Sequence, residues 1–326
     1  MKITMSHGGG GRSTKELIDK IFANKFSNPV LNEMEDCAVI PGNKKITMTT
    51  DSFVVTPLIY PGGDIGRLCI CGTVNDLLMR GAVPQYITCG FIIEEGTETE
   101  LLEKIADSMA ATAKEAGVII VAGDTKVIEG NGGLYINTAG VGFVDENINI
   151  SGTLCKPGDA VILSGSLGEH HATVLSCRMG LLNTIESDNA PLNEMVMGLL
   201  KAGIHVHAMR DVTRGGLGTV LNELADAGKC AIELNEKDIP VADNVKAFTK
   251  ILGLNILHMG NEGKMVAILP EDEAEDALAV IRKSRYGENA AIIGKVTNGS
   301  GVCLNTALGG VRTVTELIGE GLPRIC

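Results

Sequence analysis

The chain has 326 residues, of which 44% are hydrophobic, so it is long enough to bury more than one core and we expect two domains. A net charge of −12, with no Trp, four Tyr and six Phe, argues against a nucleic-acid-binding surface, which needs cations and stacking rings. No run of about 18 apolar residues occurs, so we expect neither a membrane span nor a signal peptide.

Nine cysteines, an odd number, are scattered along the chain, and most lie in apolar segments where they can act as small hydrophobic residues. Reduced thiols fit this pattern best, so we predict a cytoplasmic protein. Cys326 differs from the others because it ends a tail with no following element to bury it. Packing does not explain a cysteine at this position, but position alone leaves its function open.

Short apolar runs alternate with helix-like stretches, which predicts an α/β or α+β fold. A helix predicted at about 98–116 begins with the capping pair Thr97 and Glu100, carries an apolar stripe from Leu101 and ends at Gly117. Strands are predicted at 45–50, 86–93, 118–122, 135–143, 160–164, 231–234 and 265–269.

The predicted domain boundary lies in residues 145–158, which are polar and loop-like before a new strand begins. The N-terminal domain is accordingly expected to comprise residues 1–150 and the C-terminal domain residues 151–318. Residues 319–326 have the composition of a mobile tail.

A glycine run near the N-terminus, Gly8–Gly11, leads into a predicted helix with Ser13 and Glu16 as a capping box. Unblocked backbone N–H groups at a helix start suit an anion such as a phosphate, which makes Gly9 and Gly10 candidate phosphate contacts. The run does not match a P-loop, and a glycine-rich terminus without any ligand explains it equally well.

Four acidic side chains each stand at the end of an apolar element, where carboxylate oxygens can bind Mg²⁺. They are Asp36, Asp51, Asp76 and Asp124. Taken singly, each is also typical of an ordinary turn. Asp76 is harder to explain in that way, because a helix at 64–80 would place it on one stripe with Ile65, Cys69 and Gly72 and aim its carboxylate at the interior.

The segment 207–218 concentrates charge and small residues before an amphipathic helix predicted at 217–227, which ends at Gly228. It is either a second phosphate-facing loop or only a tight turn. Lys126 follows Asp124 by two residues and is a candidate cation beside the same phosphate, with a solvated surface lysine as the alternative.

Two close pairs of metal-binding residue types, Cys69-x-Cys71 and His205-x-His207, invite a zinc interpretation. Their spacing differs from the usual zinc motifs and neither has a matching second pair, so structural roles are favoured for both.

Seven motifs together resemble the hydrogenase expression/formation protein HypE family, of the superfamily that includes aminoimidazole ribonucleotide synthetase. The resemblance spans nearly the whole chain, and the C-terminal motif selects this family within the superfamily. Two departures from the family pattern are Glu35, in place of the first aspartate of the D-D-A-A-V-I motif, and Val212, where proline is common. The motifs are EDCAVI, TTDSFVVTP, GTVNDLLMRGA, AGDTKV, MRDVTRGG, NEGK and PRIC.

The resemblance implies two α/β domains, the first pairing with its copy so that strands of both chains form a barrel in a homodimer. It implies ATP and Mg²⁺ in the interface groove. The implied nucleotide contacts are Gly9, Gly10, Asn75, Gly123, Asp124, Asp211, Gly215 and Gly216, and the implied metal ligands are Asp36, Asp51, Asp76 and Asp124.

The resemblance also implies an activity in which a partner carbamoyltransferase, HypF, loads a carbamoyl group onto Cys326. ATP-dependent dehydration would convert it to a thiocyanate, a source of cyanide for the iron of [NiFe]-hydrogenase through the HypC–HypD scaffold. The implied catalytic residues are Cys326, Lys126 beside the nucleotide, and Glu262 of NEGK as general base or tail-positioning group. His7 and His207 are further candidates.

Two other classes of function stay open from sequence alone. One is a kinase or synthetase of the same superfamily that acts on a free small molecule and needs no terminal cysteine. The other is a scaffold or metal carrier that uses the scattered Cys and His residues without ATP chemistry.

Overall fold

A computed structural model describes residues 2–4, 7, 16–33 and 42–317. The helices are α1 (Ile65–Leu78), α2 (Thr99–Ala116), α3 (Glu169–Met179), α4 (Asn193–Lys201), α5 (Gly216–Gly228), α6 (Asp243–Leu252) and α7 (Ala274–Lys283). The strands are β1 (Ile46–Phe53), β2 (Ile59–Tyr60), β3 (Gly63–Asp64), β4 (Val83–Glu94), β5 (Ile119–Ile128), β6 (Leu134–Phe143), β7 (Asp159–Leu163), β8 (Ala208–Asp211), β9 (Ala231–Asn235), β10 (Met265–Pro270), β11 (Ala291–Thr297), β12 (Gly301–Asn305) and β13 (Val311–Val314).

The first layer is a four-stranded sheet in the order β1-β6-β4-β5, with only the β4–β5 pair parallel. Helices α1 and α2 cover one of its faces. The alternation of β4 explains this arrangement, because Ile87, Cys89, Phe91 and Ile93 are buried while the residues between them are more exposed.

The second layer is a seven-stranded sheet in the order β13-β12-β9-β11-β7-β10-β8. Both faces of its centre are covered, by α4 and α7 on one side and by α5 on the other, so every residue of β7 is buried. The apolar core on the α4 side continues into the first layer, where Met195 and Val196 share one buried cluster with Ile70 and Leu78. This shared core fixes how the two layers meet.

All seven predicted strands are present, and several extend beyond their predicted ends; β1, for example, continues to Phe53. The α/β class with two layered units is therefore confirmed. In its described part, the chain has no helix long and apolar enough to cross a bilayer.

The helix predicted at 98–116 forms and ends at Gly117, which has φ of 68°, as expected. The predicted capping pair is wrong, because Glu98 is the N-cap and the Thr97 hydroxyl donates instead to the Glu94 carbonyl at 2.8 Å. In the predicted stripe, Leu101 is only half-buried and its neighbour Leu102 takes the core position.

Helices α1 and α5 form close to their predicted bounds. Asp64 caps α1 by accepting a hydrogen bond from the Arg67 N–H at 2.9 Å. Helix α5 includes the predicted stop Gly228, and the left-handed residue that ends it is Lys229, with φ of 51°.

Candidate functional site

Two of the predicted metal ligands, Asp51 and Asp76, meet Asp211, a predicted nucleotide contact, where the two layers join. Asp51 lies on β1, Asp76 on α1 and Asp211 at the end of β8, and all three are half-buried. Burial, followed by the charge of Asp76 and a hydrogen bond with it, raises the pKa of Asp51 to about 6. Burial and the charges of Asp76 and Asp51 raise the pKa of Asp211 to about 7. Mutual repulsion of this kind is relieved by a bound cation.

The orientation of Asp76 is set by the sheet. The Thr49 hydroxyl on β1 donates a hydrogen bond of 2.7 Å to the Asp76 Oδ2 atom. The carboxylate therefore lies on the sheet-facing side of α1, as its helical spacing predicted. It is half-buried, however, and not deep in the core.

Glu262 faces the same acidic region. Its side chain is 3% exposed, and its Oε1 atom has no hydrogen-bond partner among the described residues. Burial raises the pKa of this carboxyl well above its usual range, and the charges of Asp211, Asp188 and Asp51 add to the effect. A buried carboxyl oxygen without a partner is costly for the fold, so its presence here points to chemistry rather than stability.

The donor set suits a hard cation such as Mg²⁺, which takes carboxylate oxygens and keeps positions for water and phosphate oxygens. Within the described ranges, no group of three or more His, Cys, Asp or Glu side chains is already arranged around a common metal position. Asp36, another of the four predicted metal ligands, lies outside those ranges. The residues present fit a metal site that a nucleotide's phosphates would help to complete.

A groove of about 530 Å³ opens beside the acidic residues, between the two layers. Its walls include Thr49, Asp76 and Arg80 from the first layer, and Arg210 and Asp211 from the second. The volume falls in the range of small-molecule sites, and the mixed charges offer contacts to both phosphate and metal.

Asp124 and Lys126 lie elsewhere in the same chain. The Lys126 Nζ atom bonds the Asp124 Oδ1 atom at 2.8 Å, and both side chains are more than 60% exposed. In the sheet register Asp124 pairs with Gly90, Gly90 with Asn137, and Asn137 with Ser52. Three strand spacings, about 14 Å, therefore separate Asp124 from the residue next to Asp51.

The two groups also occupy opposite faces of the sheet. Asp51 pairs with Thr138, which is fully buried under α1, whereas Asp124 and Lys126 alternate with the buried Thr125 and point away from the helices. One chain thus does not bring Asp124 and Lys126 to the Asp51 and Asp76 carboxylates, and their assignment to the same site stays a prediction.

Asn75, implied as a nucleotide contact, is buried against the second layer. Its Nδ2 atom donates to the Ala190 carbonyl at 3.1 Å, and its Oδ1 atom accepts from the Leu192 N–H at 2.9 Å. These contacts give the side chain a structural role, and a nucleotide contact stays a prediction.

Three glycines implied as nucleotide contacts lie in the described part of the chain, and each has a packing reason to be glycine. A Cβ atom at Gly123 would lie 2.7 Å from the Cys89 carbonyl oxygen across the sheet. Gly215 and Gly216 have φ of 81° and 65°, and a Cβ at Gly216 would lie 2.6 Å from the Leu257 carbonyl oxygen. Their positions at the start of α5, close to Asp211, are compatible with a phosphate but do not require one.

Val212, one of the two departures from the family pattern, has a clear contact. Its backbone N–H donates to the Lys264 carbonyl at 2.9 Å, a bond that proline would not make. The valine therefore adds a link between the loop after β8 and the Glu262 segment.

The remaining candidates have local partners. His207 Nδ1 lies 2.9 Å from the buried Asp159, and His205 Nδ1 lies 2.6 Å from Glu273. The Cys69 thiol donates to the Gly66 carbonyl at 3.2 Å. His7 Nδ1 lies 3.0 Å from the Thr4 hydroxyl. The predictions for Gly9, Gly10 and Cys326 lie outside the described residues.

Next to Glu262 lies a group of charged residues that the sequence motifs did not indicate. Asp188 is almost fully buried, and its Oδ2 atom lies 3.1 Å from the Lys264 Nζ atom, which also lies 3.5 Å from Glu169. An aspartate in an S-D-N-A-P-L run belongs to no regular element, so periodicity gave no signal for it. The one sequence signal was Lys264, the last residue of NEGK, because a buried lysine needs an acidic partner.

Family models for AIR synthase related proteins match both halves of the chain. The N-terminal domain model matches residues 34–144 and the C-terminal domain model residues 156–304. A carbamoyl dehydratase HypE from Azotobacter vinelandii is 46% identical over 99% of this chain and 97% of that protein. The chain belongs to the HypE family.

Two solved HypE structures share this fold. HypE in complex with ATP is 43% identical, covers 99% of both chains and superposes with a TM-score of 0.96. HypE in a HypE–HypF complex is 45% identical, covers 94% of this chain and 100% of that chain, and has a TM-score of 0.81. The predicted family and its two-domain fold are confirmed.

Proposed function

We propose that this HypE family member is an ATP-dependent carbamoyl dehydratase that acts on the S-carbamoyl group of its own Cys326 and supplies cyanide for [NiFe]-hydrogenase maturation. The observation that carries the proposal is full-length similarity to a named carbamoyl dehydratase in a chain that gathers acidic side chains beside an interlayer groove. A close structural relative was crystallised with ATP, which supports ATP as the second substrate.

In this proposal Asp51 and Asp76, with Asp36, hold Mg²⁺, while Asp211, Gly215 and Gly216 face the nucleotide phosphates together with Gly9 and Gly10. The support is that burial and mutual repulsion raise the pKa values of Asp51 and Asp211. When bound, Mg²⁺ supplies charge neutralisation for the phosphate oxygens.

The chemistry begins with a thiocarboxamide, S–C(=O)NH₂, whose oxygen is a poor leaving group. Transfer of the ATP γ-phosphoryl group to that oxygen releases ADP and converts the oxygen to a phosphate. Departure of phosphate with loss of the N–H protons leaves S–C≡N. Phosphoryl transfer mainly requires positioning and charge stabilisation, which acidic and basic side chains around a groove can provide.

Glu262 is the candidate base for removal of an N–H proton. Its carboxyl is buried, keeps one oxygen without a hydrogen-bond partner among the described residues, and has a raised pKa. A raised pKa makes a carboxylate a stronger base towards an N–H proton.

A homodimer is part of the proposal. The face of the first sheet opposite α1 and α2 carries exposed apolar side chains, among them Met48 at 74% and Ile92 at 42% exposure. Asp124 and Lys126 lie on this same face. A second copy would cover the apolar surface by forming a barrel and could bring its Lys126 towards the Asp76 side of the first chain.

The partners proposed are HypF, which loads the carbamoyl group, and the HypC–HypD iron scaffold, which receives the cyanide. The complex of a related HypE with HypF supports the first. A cytoplasmic location is proposed because each cysteine in the described part of the chain is a free thiol.

The proposal is tested by following ADP release from the carbamoyl-loaded protein. One ADP per loaded chain is expected for the wild type, and none for Cys326→Ala. Full turnover after deletion of residues 323–326 would instead favour a superfamily enzyme that acts on a free small molecule. Tight metal retention without ATP binding in calorimetry would favour the scaffold alternative.

A further inference from the structure

Residues 187–192, here called the strap, have no regular secondary structure and lie between α3 and α4. The strap runs across the junction of the two layers and contacts both of them. On the first-layer side, Arg67 Nε donates to the Asn189 carbonyl at 2.8 Å, and Asn75 makes the two bonds described above to Ala190 and Leu192.

On the second-layer side, Asp188 binds the backbone of the Glu262 segment. The Asp188 Oδ1 atom accepts from the Glu262 N–H and its Oδ2 atom from the Gly263 N–H, each at 3.2 Å. The Glu262 carbonyl in turn accepts from the Ala190 N–H at 3.3 Å. Both carboxylate oxygens and the adjacent strap backbone thus hold one peptide segment.

The close approach of the strap requires glycine at two points. A Cβ atom at Gly263 would lie 1.9 Å from the Asp188 carbonyl oxygen. Gly62 has φ of 82°, and a Cβ there would lie 2.7 Å from both the N and O atoms of Ser187. These distances leave no room for a side chain, so the strap packs backbone to backbone against the Glu262 segment at Gly263 and against the turn between β2 and β3 at Gly62.

Glu262 is therefore fixed through its backbone while its Oε1 atom stays without a protein partner in the described chain. A carboxyl held in this manner keeps a defined position and still has an oxygen available for a substrate proton. If a side-chain bond fixed it instead, that oxygen would be occupied.

We propose that Asp188 is a positioning residue for Glu262, which holds its backbone so that the carboxyl keeps a fixed place relative to the groove. The inference rests on the proposed function, in which Glu262 takes the substrate proton. Through Asn75, which precedes Asp76, the same strap also sets the spacing between the acidic residues of the first layer and Glu262.

The test compares Asp188→Asn with Glu169→Gln. Asn offers one acceptor oxygen, so its NH₂ group faces either the Glu262 N–H or both the Gly263 N–H and Lys264, and one of the two backbone hydrogen bonds is lost in either orientation. Glu169→Gln removes the other acidic partner of Lys264, at 3.5 Å, but touches neither backbone N–H. The pair separates backbone positioning from the general effect of a weakened buried lysine.

The readouts are the single-turnover rate of water loss from the carbamoylated protein and the ATP dissociation constant. Asp188→Asn should slow water loss by about tenfold to a hundredfold, the effect of a small misplacement of a reacting group, while ATP affinity changes by less than about threefold. Glu169→Gln should change the rate by less than about threefold, because it leaves both hydrogen bonds from the Glu262 and Gly263 amides to Asp188 in place. A rate for Asp188→Asn within about twofold of wild type, or an equal loss in both variants, would overturn the proposal.

A double-mutant cycle of Asp188 and Glu262 distinguishes a positioning role for Asp188 from a general structural role. If Asp188 acts through Glu262, then Asp188→Asn in a Glu262→Gln background should lower the residual rate by less than about twofold. If Asp188→Asn lowered the rate by the same factor with Glu262 and with Gln at position 262, Asp188 would not act through Glu262.

Hydrogen exchange separates failure of the inference from failure of the proposed function. Exchange at the Glu262 and Gly263 amides should be faster in Asp188→Asn than in Glu169→Gln. If the wild type loses no water, the proposed function fails, and unchanged amide exchange in Asp188→Asn would independently overturn the positioning role.

Discussion

Asn75 joins the two layers of the molecule to each other, because its Oδ1 atom accepts the Leu192 N–H at 2.9 Å while its Nδ2 atom donates to the Ala190 carbonyl at 3.1 Å. The next residue along α1 is Asp76, at the edge of the groove. The bond pair therefore connects the stability of the interlayer junction directly to the placement of a proposed metal ligand.

Replacing Asn75 by alanine should destabilise the protein by about 2–4 kcal/mol, because a buried N–H and a buried carbonyl each lose their partner. Urea unfolding of the protein measures the change. Asn43→Ala, at an exposed position, is the matched control and should stay within about 0.5 kcal/mol of wild type. Equal stability of the two variants would show that the bonds to residues 190 and 192 contribute nothing.

The acidic site should make stability fall with rising pH when Mg²⁺ is absent. The pKa of Asp51 is raised from 3.8 to about 6, so the folded state holds the proton more tightly than the unfolded state. This contribution to stability is complete below pH 3.8 and is lost as pH rises through about 6. The pKa of Asp211 is raised to about 7, so its contribution to stability is lost as pH rises through about 7.

Asp51→Asn should flatten that part of the stability profile and raise the stability at pH 7.5 by about 1–2 kcal/mol, because one repelling charge is removed. Added Mg²⁺ should stabilise the wild type more at pH 7.5 than at pH 5 and should have little effect on the variant. Chemical denaturation across pH, with and without Mg²⁺, checks both points. If the Asp51→Asn variant and the wild type had the same dependence of stability on pH, the electrostatic account would be contradicted.

Lys126 and Asp76 should complement each other across two chains if the proposed dimer is correct. Lys126→Ala should cost less than about 0.5 kcal/mol of stability, because the Lys126–Asp124 pair is exposed, yet it should remove turnover. Asp76→Asn should also be inactive. When the two variants are unfolded and refolded together, about a quarter of wild-type turnover should return, since half the dimers are mixed and each has one intact site. No recovery would place both residues in the site of a single chain.

Glu262→Gln should separate stability from activity. Burial raises the pKa of the Glu262 carboxyl, so its ionisation at higher pH lowers the stability of the folded state. The neutral amide of Gln does not ionise and avoids this loss of stability. The variant should thus be at least as stable as wild type at pH 8, while water loss slows by about 10²–10⁴-fold, as for removal of a general base. Glu275→Gln on the exposed side of α7 should change neither quantity. Normal turnover by Glu262→Gln would exclude the base assignment.

The local parts of the fold could be predicted from sequence, because apolar periodicity and glycine stops act over a few residues. The start of α2 shows the limit, since the Thr97 hydroxyl finds the Glu94 and Gly133 carbonyls and does not cap the helix. Glu94 is the last residue of β4, three positions earlier, whereas Gly133 precedes β6 and is 36 positions away, so the second acceptor is invisible to a local capping pattern.

The site was predictable only in part. Asp51, Asp76 and Asp211 come together as strand and helix ends meet, but the separation of Asp124 from them follows from sheet order and register, which are non-local. The role of Asp188 depends on a strap packed against residues 262 and 263, and no periodic pattern marks such a segment.

The central claim is that Cys326 carries the group that this protein dehydrates, and intact-protein mass measurement tests it most directly. After incubation with carbamoyl phosphate, the carbamoyltransferase and ATP, the account predicts a gain of one carbamoyl group on the peptide that contains Cys326, followed by loss of one water. Cys326→Ala should show neither change but should still bind ATP. A carbamoyl group that stays intact with ATP and Mg²⁺ present, or water loss in Cys326→Ala, would contradict the account.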